Sequence, residues 1–192
     1  MRDMATTDVD RFLALLQPIE RELETYARRL VWEARDAPDA LQNAVMHAFA
    51  AFDRYHEDAS FRAWMFKILT HEAFALNRKH ARIAKHEFQL EPEDLANLPF
   101  GLSPDAGLER QLSPAELDEA LDEELAAGLK TLTDAERAVL LLRAIGELRY
   151  WEISESLEIP MGSVMGHLAR ARQKMRALLA RSARRAETLK ET

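Results

Sequence analysis

The sequence contains no cysteine. Disulfides, thiolate nucleophiles and zinc sites with Cys ligands are therefore excluded, and the absence suits a reducing cytoplasm. Glycine is scarce, with six residues in 192, and no Gly-rich phosphate loop occurs. No apolar run approaches the roughly 20 residues that span a bilayer. Met1 to Asp10 carry three acids and no apolar stretch, so no secretory signal is read there and no membrane insertion is expected. The six His residues show no metal-ligand spacing. His80 and His86 stand near an acidic stretch without evident partners. Ser, His and Asp are present, but nothing marks a nucleophile. No catalytic residue, metal or cofactor is assigned, and the chain is not read as an enzyme.

Hydrophobic residues are plentiful, at 47%, which is enough to build a packed core. The net charge of −7 argues against a general nucleic-acid binder, but its distribution argues otherwise. Residues 1–59 sum to −5, 60–85 to +5, 86–136 to −12 and 137–192 to +5. Two basic blocks flank one acidic block, and such asymmetry is more informative than the total.

Apolar residues recur at steps of three and four, and no window alternates as a strand would. The fold class is all-α: an N-terminal helical bundle and a C-terminal helix-turn-helix domain on a flexible acidic linker. The expected divisions are 1–86, a linker at 87–112, 113–185 and a tail at 186–192. Thr7-Asp8-Val9-Asp10 resembles a helix start, followed by Phe12, Leu15, Leu16 and Ile19 at helical spacing. Pro18 interrupts this element or begins its second half. Asp36-Ala37-Pro38-Asp39 opens a helix whose apolar positions are Leu41, Val45, Ala48, Phe49 and Phe52. A polar loop from Asp53 to Ser60 precedes a helix from Phe61 to about His80. The linker holds Pro92, Pro99 and Pro104 with Gly101 and Gly107. Ser113-Pro114-Ala115-Glu116 and Thr133-Asp134-Ala135-Glu136 are capping boxes, and Gly146 ends the helix that the second one starts.

The C-terminal part has a more specific pattern. A short amphipathic helix, Tyr150 to Leu157, is followed by the turn Glu158-Ile159-Pro160-Met161-Gly162. A long helix from Ser163 to about Arg181 comes next. This order is that of a helix-turn-helix. On the long helix Val164, Leu168, Ala171, Met175 and Leu178 share one face, and Gly166, Arg170, Gln173 and Ala177 lie opposite. Residues 163–190 carry eight Lys or Arg and one acid. A solvated bundle helix would explain the basic run alone, whereas the turn and the short helix favour DNA binding, with base contacts early in the helix and phosphate contacts later.

On the helix from Phe61, the residues Phe61, Met65, Ile68 and Leu76 cluster on one side. Lys67, His71, Phe74 and Arg78 follow i, i+4, i+7, i+11 on another. An aromatic ring among cations suits a single strand, where bases stack and phosphates pair. Trp64 and Phe66 fit either that role or the core, and His71 also fits an ordinary surface position.

Taken together, these motifs carry a family resemblance. Leu132 to Arg143, Tyr150-Trp151-Glu152-Ile153, Ile159 to Val164 and Leu168-Ala169-Arg170-Ala171-Arg172 resemble region 4 of the extracytoplasmic-function (ECF) sigma factors of bacterial RNA polymerase. Asp39-Ala40-Leu41-Gln42-Asn43, Ala51-Phe52-Asp53 and Ser60 to Ile68 resemble their region 2. The resemblance covers nearly the whole chain apart from the linker and tail.

It implies an alternative sigma factor that binds core RNA polymerase, at the clamp coiled coil and the flap, together with promoter DNA and an anti-sigma partner. Clamp contacts would fall to Asp39, Gln42, Asn43 and Asp53. The melted −10 element would meet Tyr55, His56, Ser60, Phe61, Arg62 and Trp64, then Lys67, His71, Phe74, Asn77, Arg78 and Lys79. The −35 duplex would meet Ser163, Met165, Gly166, His167, Arg170, Arg172 and Lys174. The linker would thread toward the RNA exit channel.

Two departures stand out. Asn43 replaces the family's usual Glu, and Met165-Gly166-His167 replaces a more basic triplet. A helix-turn-helix regulator working without polymerase, and a sigma-like decoy for an anti-sigma protein, remain as alternatives.

Overall fold

A computed structural model describes residues 2–56, 60–88 and 124–188, with side chains over 8–56, 60–82 and 124–180. The expected linker, the first capping box at Ser113 and the loop residues 57–59 lie outside the described residues. Among the described residues every regular element is a helix.

The N-terminal unit contains α1 (Arg2–Leu16), α2 (Glu20–Leu30), α3 (Ala37–Ala50) and α4 (Phe61–Phe88). Short 3-10 turns at Gln17–Ile19, Ala34–Asp36 and Phe52–Arg54 join them. α1 begins before the expected start at Thr7. Pro18 sits in the first of these turns, where its missing N–H costs no helical bond. Leu23, Tyr26, Ala27 and Leu30 form the buried stripe of α2 at the 3.6-residue period.

The core face of α3 differs from the expected one. Ala37, Ala40, Ala44 and Ala48 are buried, Leu41 and Val45 are only partly covered, and Phe49 is 43% exposed. The small side chains let α3 approach its packing partner α4 closely, which pushes the bulkier ones to the rim. α4 supplies Phe61, Met65, Phe66, Leu69 and Ala73 to the core. It runs eight residues past His80, because no Gly or Pro occurs before Pro92 to end it.

Two polar groups fix the register of this bundle. The Tyr26 hydroxyl shares a 2.6 Å hydrogen bond with Thr70 Oγ1, which also reaches the Phe66 carbonyl. Burial pushes the Tyr26 hydroxyl pKa up, so the ring stays neutral and available as a partner. Asn77 is buried and closes the end of α2. Its Oδ1 accepts from the Trp32 amide at 2.9 Å, and its Nδ2 donates to the Leu30 carbonyl at 3.3 Å. Asn77→Leu will leave two backbone groups unpaired and cost about 2 kcal/mol. Urea unfolding checks this, and an unchanged midpoint would remove the structural role.

The C-terminal unit contains a helical segment at 124–130, then α5 (Asp134–Ala144), α6 (Tyr150–Leu157) and α7 (Met161–Thr188). The expected capping box at Thr133 forms reciprocally with Glu136. Gly146 follows α5 because space demands it: a Cβ there would lie 2.7 Å from the Leu142 carbonyl oxygen. The left-handed residue of the turn between α6 and α7 is Glu158, at φ 56°, and no described glycine has positive φ. α7 starts two residues before the expected Ser163 and continues past Arg181. Val139, Leu142, Ile153, Val164, Leu168 and Ala171 fill the space between these helices.

The two units pack against each other, α4 beside α6 and α2 beside α5. That contact determines which functional side chains remain accessible.

Candidate nucleic-acid interface

Three surfaces carry the residues singled out from sequence. The first is the outer edge of α3. Asp39, Gln42 and Asn43 are all exposed there, and Asp53 is exposed just beyond the helix. Met46 continues the same edge, an apolar side chain 61% exposed that is absent from the set expected from sequence. Its signal was present, since Met46 stands at i+4 from Gln42 and i+7 from Asp39. A cleft of about 390 Å³ between α2 and α3, lined by Glu24, Arg28, Pro38, Leu41 and Gln42, adjoins this edge.

The second surface is the start of α4. Tyr55, Phe61 and Trp64 form one aromatic cluster, with centroids 5.4 Å apart for Tyr55 and Phe61 and 5.3 Å for Tyr55 and Trp64. Phe61 is buried beneath the other two and also meets Phe12 and Phe52. Trp64 and Tyr55 are partly covered and keep an accessible edge. Phe66 belongs to the core. His56 and Ser60 are exposed, and Ser60 Oγ caps the amide of Ala63 at 3.2 Å. Further along, Arg78 and Lys79 are exposed and Phe74 is half-buried. His80, which appeared unpartnered in the sequence, pairs with Asp36 at 2.6 Å. Asn77 faces inward and binds the α2 terminus rather than offering itself to a base.

Three side chains of this surface are held by the other unit. Arg62 donates to the carbonyls of Gly146 at 2.7 Å and Ile145 at 3.2 Å. His71 Nε2 lies 3.3 Å from the Ser156 carbonyl, and Lys67 lies 3.8 Å from Glu158. Trp32 Nε1 donates to Asp134 across the same junction. The Arg62 bonds are charge-assisted and directional. The Lys67 pair is long and partly exposed, worth at most about 1 kcal/mol. The directional bonds of Arg62 give the junction its specificity.

The third surface is α7, the second helix of the helix-turn-helix. Glu136, from the cap of α5, is its electrostatic centre, with a side chain only 4% exposed. Lys174 Nζ donates to it at 2.7 Å and Arg170 Nε at 3.2 Å. Burial raises the Glu136 carboxyl pKa, but the bonds from Lys174, the Thr133 amide and Arg170 outweigh that, so it lies below its ordinary value. Arg170 also reaches His167 Nδ1 at 3.0 Å. Two of the expected DNA contacts, Arg170 and Lys174, are thus turned toward the domain's own carboxylate. Arg172 is exposed, as are Met165 and the neighbouring Arg176, while Ser163, Gly166 and His167 are half-buried. Among the described residues no group of His, Asp or Glu is arranged to hold a metal.

An aromatic and basic helix surface joined to a helix-turn-helix defines the chain as a modular DNA-binding protein. The family described as Sigma-70 region 2 matches residues 15–83, and Sigma-70, region 4 matches 122–175. The RNA polymerase sigma factor CnrH of Cupriavidus metallidurans is 31% identical over 75% of this chain and 73% of its own length. The ECF sigma factor SigW of Bacillus subtilis is 24% identical over 90% of both chains. The ECF sigma factor SigE of Mycolicibacterium smegmatis is 29% identical, and this chain spans 56% of its length. Among solved structures, the fold is similar to Bartonella quintana RpoE in complex with the anti-sigma factor NepR. There the TM-score is 0.68 at 20% identity, over 88% of this chain and 97% of that one. It is also similar to CnrH in complex with the cytosolic domain of CnrY, with a TM-score of 0.63 over 93% and 94%. The chain belongs to the ECF family of RNA polymerase sigma factors.

Proposed function

We propose that this protein works as an alternative sigma factor, a binding subunit that directs core RNA polymerase to specific promoters and assists melting. The observation that carries this reading is the joint presence of an α4 aromatic and basic surface and a helix-turn-helix in one chain. The α3 edge would seat on the polymerase clamp. Tyr55, Trp64, Lys67, His71 and Arg78 would hold the melted −10 strand, with bases on rings and phosphates on cations. α7 would enter the −35 major groove. The solved relatives in complex with NepR and CnrY support an anti-sigma partner here. No described helix is long and apolar enough to cross a membrane, which fits work beside the polymerase in the cytoplasm.

In the closed arrangement Arg62, Lys67 and His71 are engaged by the other unit, so core binding would separate the units before these side chains meet DNA. Run-off transcription with core polymerase on genomic fragments tests the function. Initiation from discrete sites is expected, and failure to initiate anywhere would favour a decoy that only binds anti-sigma. Triple replacement of Lys67, His71 and Arg78 by Ala will abolish the permanganate-reactive bubble while leaving upstream duplex protection. An intact bubble would make that face of α4 structural.

A further inference from the structure

Resting on the reading above, we infer that α7 recognises its upstream duplex chiefly through thymine methyl groups, with Met161 and Met165 as the specificity-determining side chains. Duplex bases are distinguished in the major groove by hydrogen bonds to their edges, with Asn or Gln suited to adenine, Asp or Glu to cytosine and Ser or Thr to several bases, and by apolar contact. Arg or Lys pairs with the O6 and N7 acceptors of guanine, and apolar side chains pack on the C5 methyl of thymine. The first turns of a recognition helix make these contacts. From Met161 to Ala169 this helix contains no Lys or Arg, and its one titratable residue is His167. Of the next cations, Arg170 and Lys174 are bound to buried Glu136, His167 faces Arg170, and exposed Arg172 stands three turns into the helix, among the phosphate-facing positions. The usual guanine-reading donors are therefore missing or turned away.

What the helix offers instead is apolar and open. Met161 is 49% exposed and Met165 51%, high values for side chains of this type in a folded chain. Met161, Met165, Ala169, Arg172 and Arg176 follow i, i+4, i+8, i+11, i+15, so one stripe passes from methionines to exposed arginines. That order suits bases first and phosphates later.

The glycines support the same conclusion. A Cβ on Gly162 would meet nothing within 4 Å, and one on Gly166 would meet only the Arg170 guanidinium, at 3.4 Å. Neither has positive φ. The fold demands neither glycine, and both weaken a helix relative to Ala. Their lack of a side chain has its effect outside the protein, where it permits close approach to the groove floor.

The test uses the full chain with core polymerase. Holoenzyme is first selected on duplexes randomised upstream of a promoter found by run-off. An upstream box rich in A·T pairs is expected. Thymines of the selected box are then replaced by uracil, which removes the methyl and nothing else. Affinity should fall about four-fold per contacted thymine, the worth of one buried methyl group. Met161→Ala with Met165→Ala should abolish the uracil effect, and Met165→Leu should retain it. Both positions are half exposed, so circular dichroism should show an unaltered fold. A selected box read through G·C pairs, or one indifferent to uracil, would overturn the inference while leaving the sigma reading intact. No enriched box and no initiation would overturn both.

Discussion

Charge reversal at Asp39 combined with Gln42→Lys will weaken retention on core RNA polymerase about thirty-fold, a loss of roughly 2 kcal/mol that is typical when interfacial charge pairs are broken. Both side chains are exposed on the outer edge of α3, and the buried stripe of that helix is made entirely of Ala37, Ala40, Ala44 and Ala48. The double variant therefore removes no packing; Asp39 lies in the first turn of α3, so reversing its charge should cost up to about 1 kcal/mol against the helix dipole, a drop of a few degrees in melting temperature that leaves the protein folded. Met46→Ala on the same edge should weaken the complex further, because an apolar side chain 61% exposed in the free protein gains most from being covered. Co-purification and competition against the unmodified chain would measure the loss. Undiminished retention would mean that another surface holds the polymerase.

Glu136→Ala will destabilise the C-terminal unit by about 2 kcal/mol, combining a lost helix cap with charge-assisted bonds left without an acceptor. The Thr133 amide, Arg170 and Lys174 all lose their partner. The two cations are themselves roughly half exposed, so solvent takes over part of their interaction and keeps the cost moderate.

The pH dependence has a definite sign. The folded Glu136 pKa lies below its ordinary value. Between the folded and unfolded values the unfolded chain holds more protons, so stability rises with pH there. The contribution is complete above about pH 4.3, the ordinary glutamate value, and is lost as pH falls through the depressed one. Thermal melts from pH 6 to pH 3 should show a drop at the acid end that Glu136→Gln reduces. Equal acid sensitivity of both proteins would assign the drop to other carboxylates. The same variant frees Arg170 and Lys174, so duplex affinity at low salt should increase even as stability falls.

Much of this protein was determined by local sequence. The helical period, the capping box at Thr133, the limits of α6 and the helix-turn-helix depend on neighbours within a few residues, and they form as expected. The exposed polar edge of α3 was legible for the same reason, since a one-sided helix reveals which side faces solvent. What depended on distant residues was not legible. Leu41 and Phe49 gave way to alanines in the core because the depth available to α3 is set by the α4 side chains opposite, not by its own period. The resemblance put Asn77 in the DNA-facing set; on α4 it stands at i+4 from buried Ala73 and i+7 from buried Thr70, and what the sequence could not show is its pair of partners, two backbone groups at the end of α2, 45 and 47 residues away.

The sequence offers Arg170 and Lys174 as −35 contacts, and only the fold brings Glu136 beneath them. The junction that engages Arg62, Lys67 and His71 joins residues more than 80 positions apart. Sequence determined which residues could carry charge and which faces could bury. Tertiary structure decided which charges were already satisfied, because a hydrogen bond or ion pair forms with whatever lies within a few ångströms, and chain proximity predicts that only inside a helix turn.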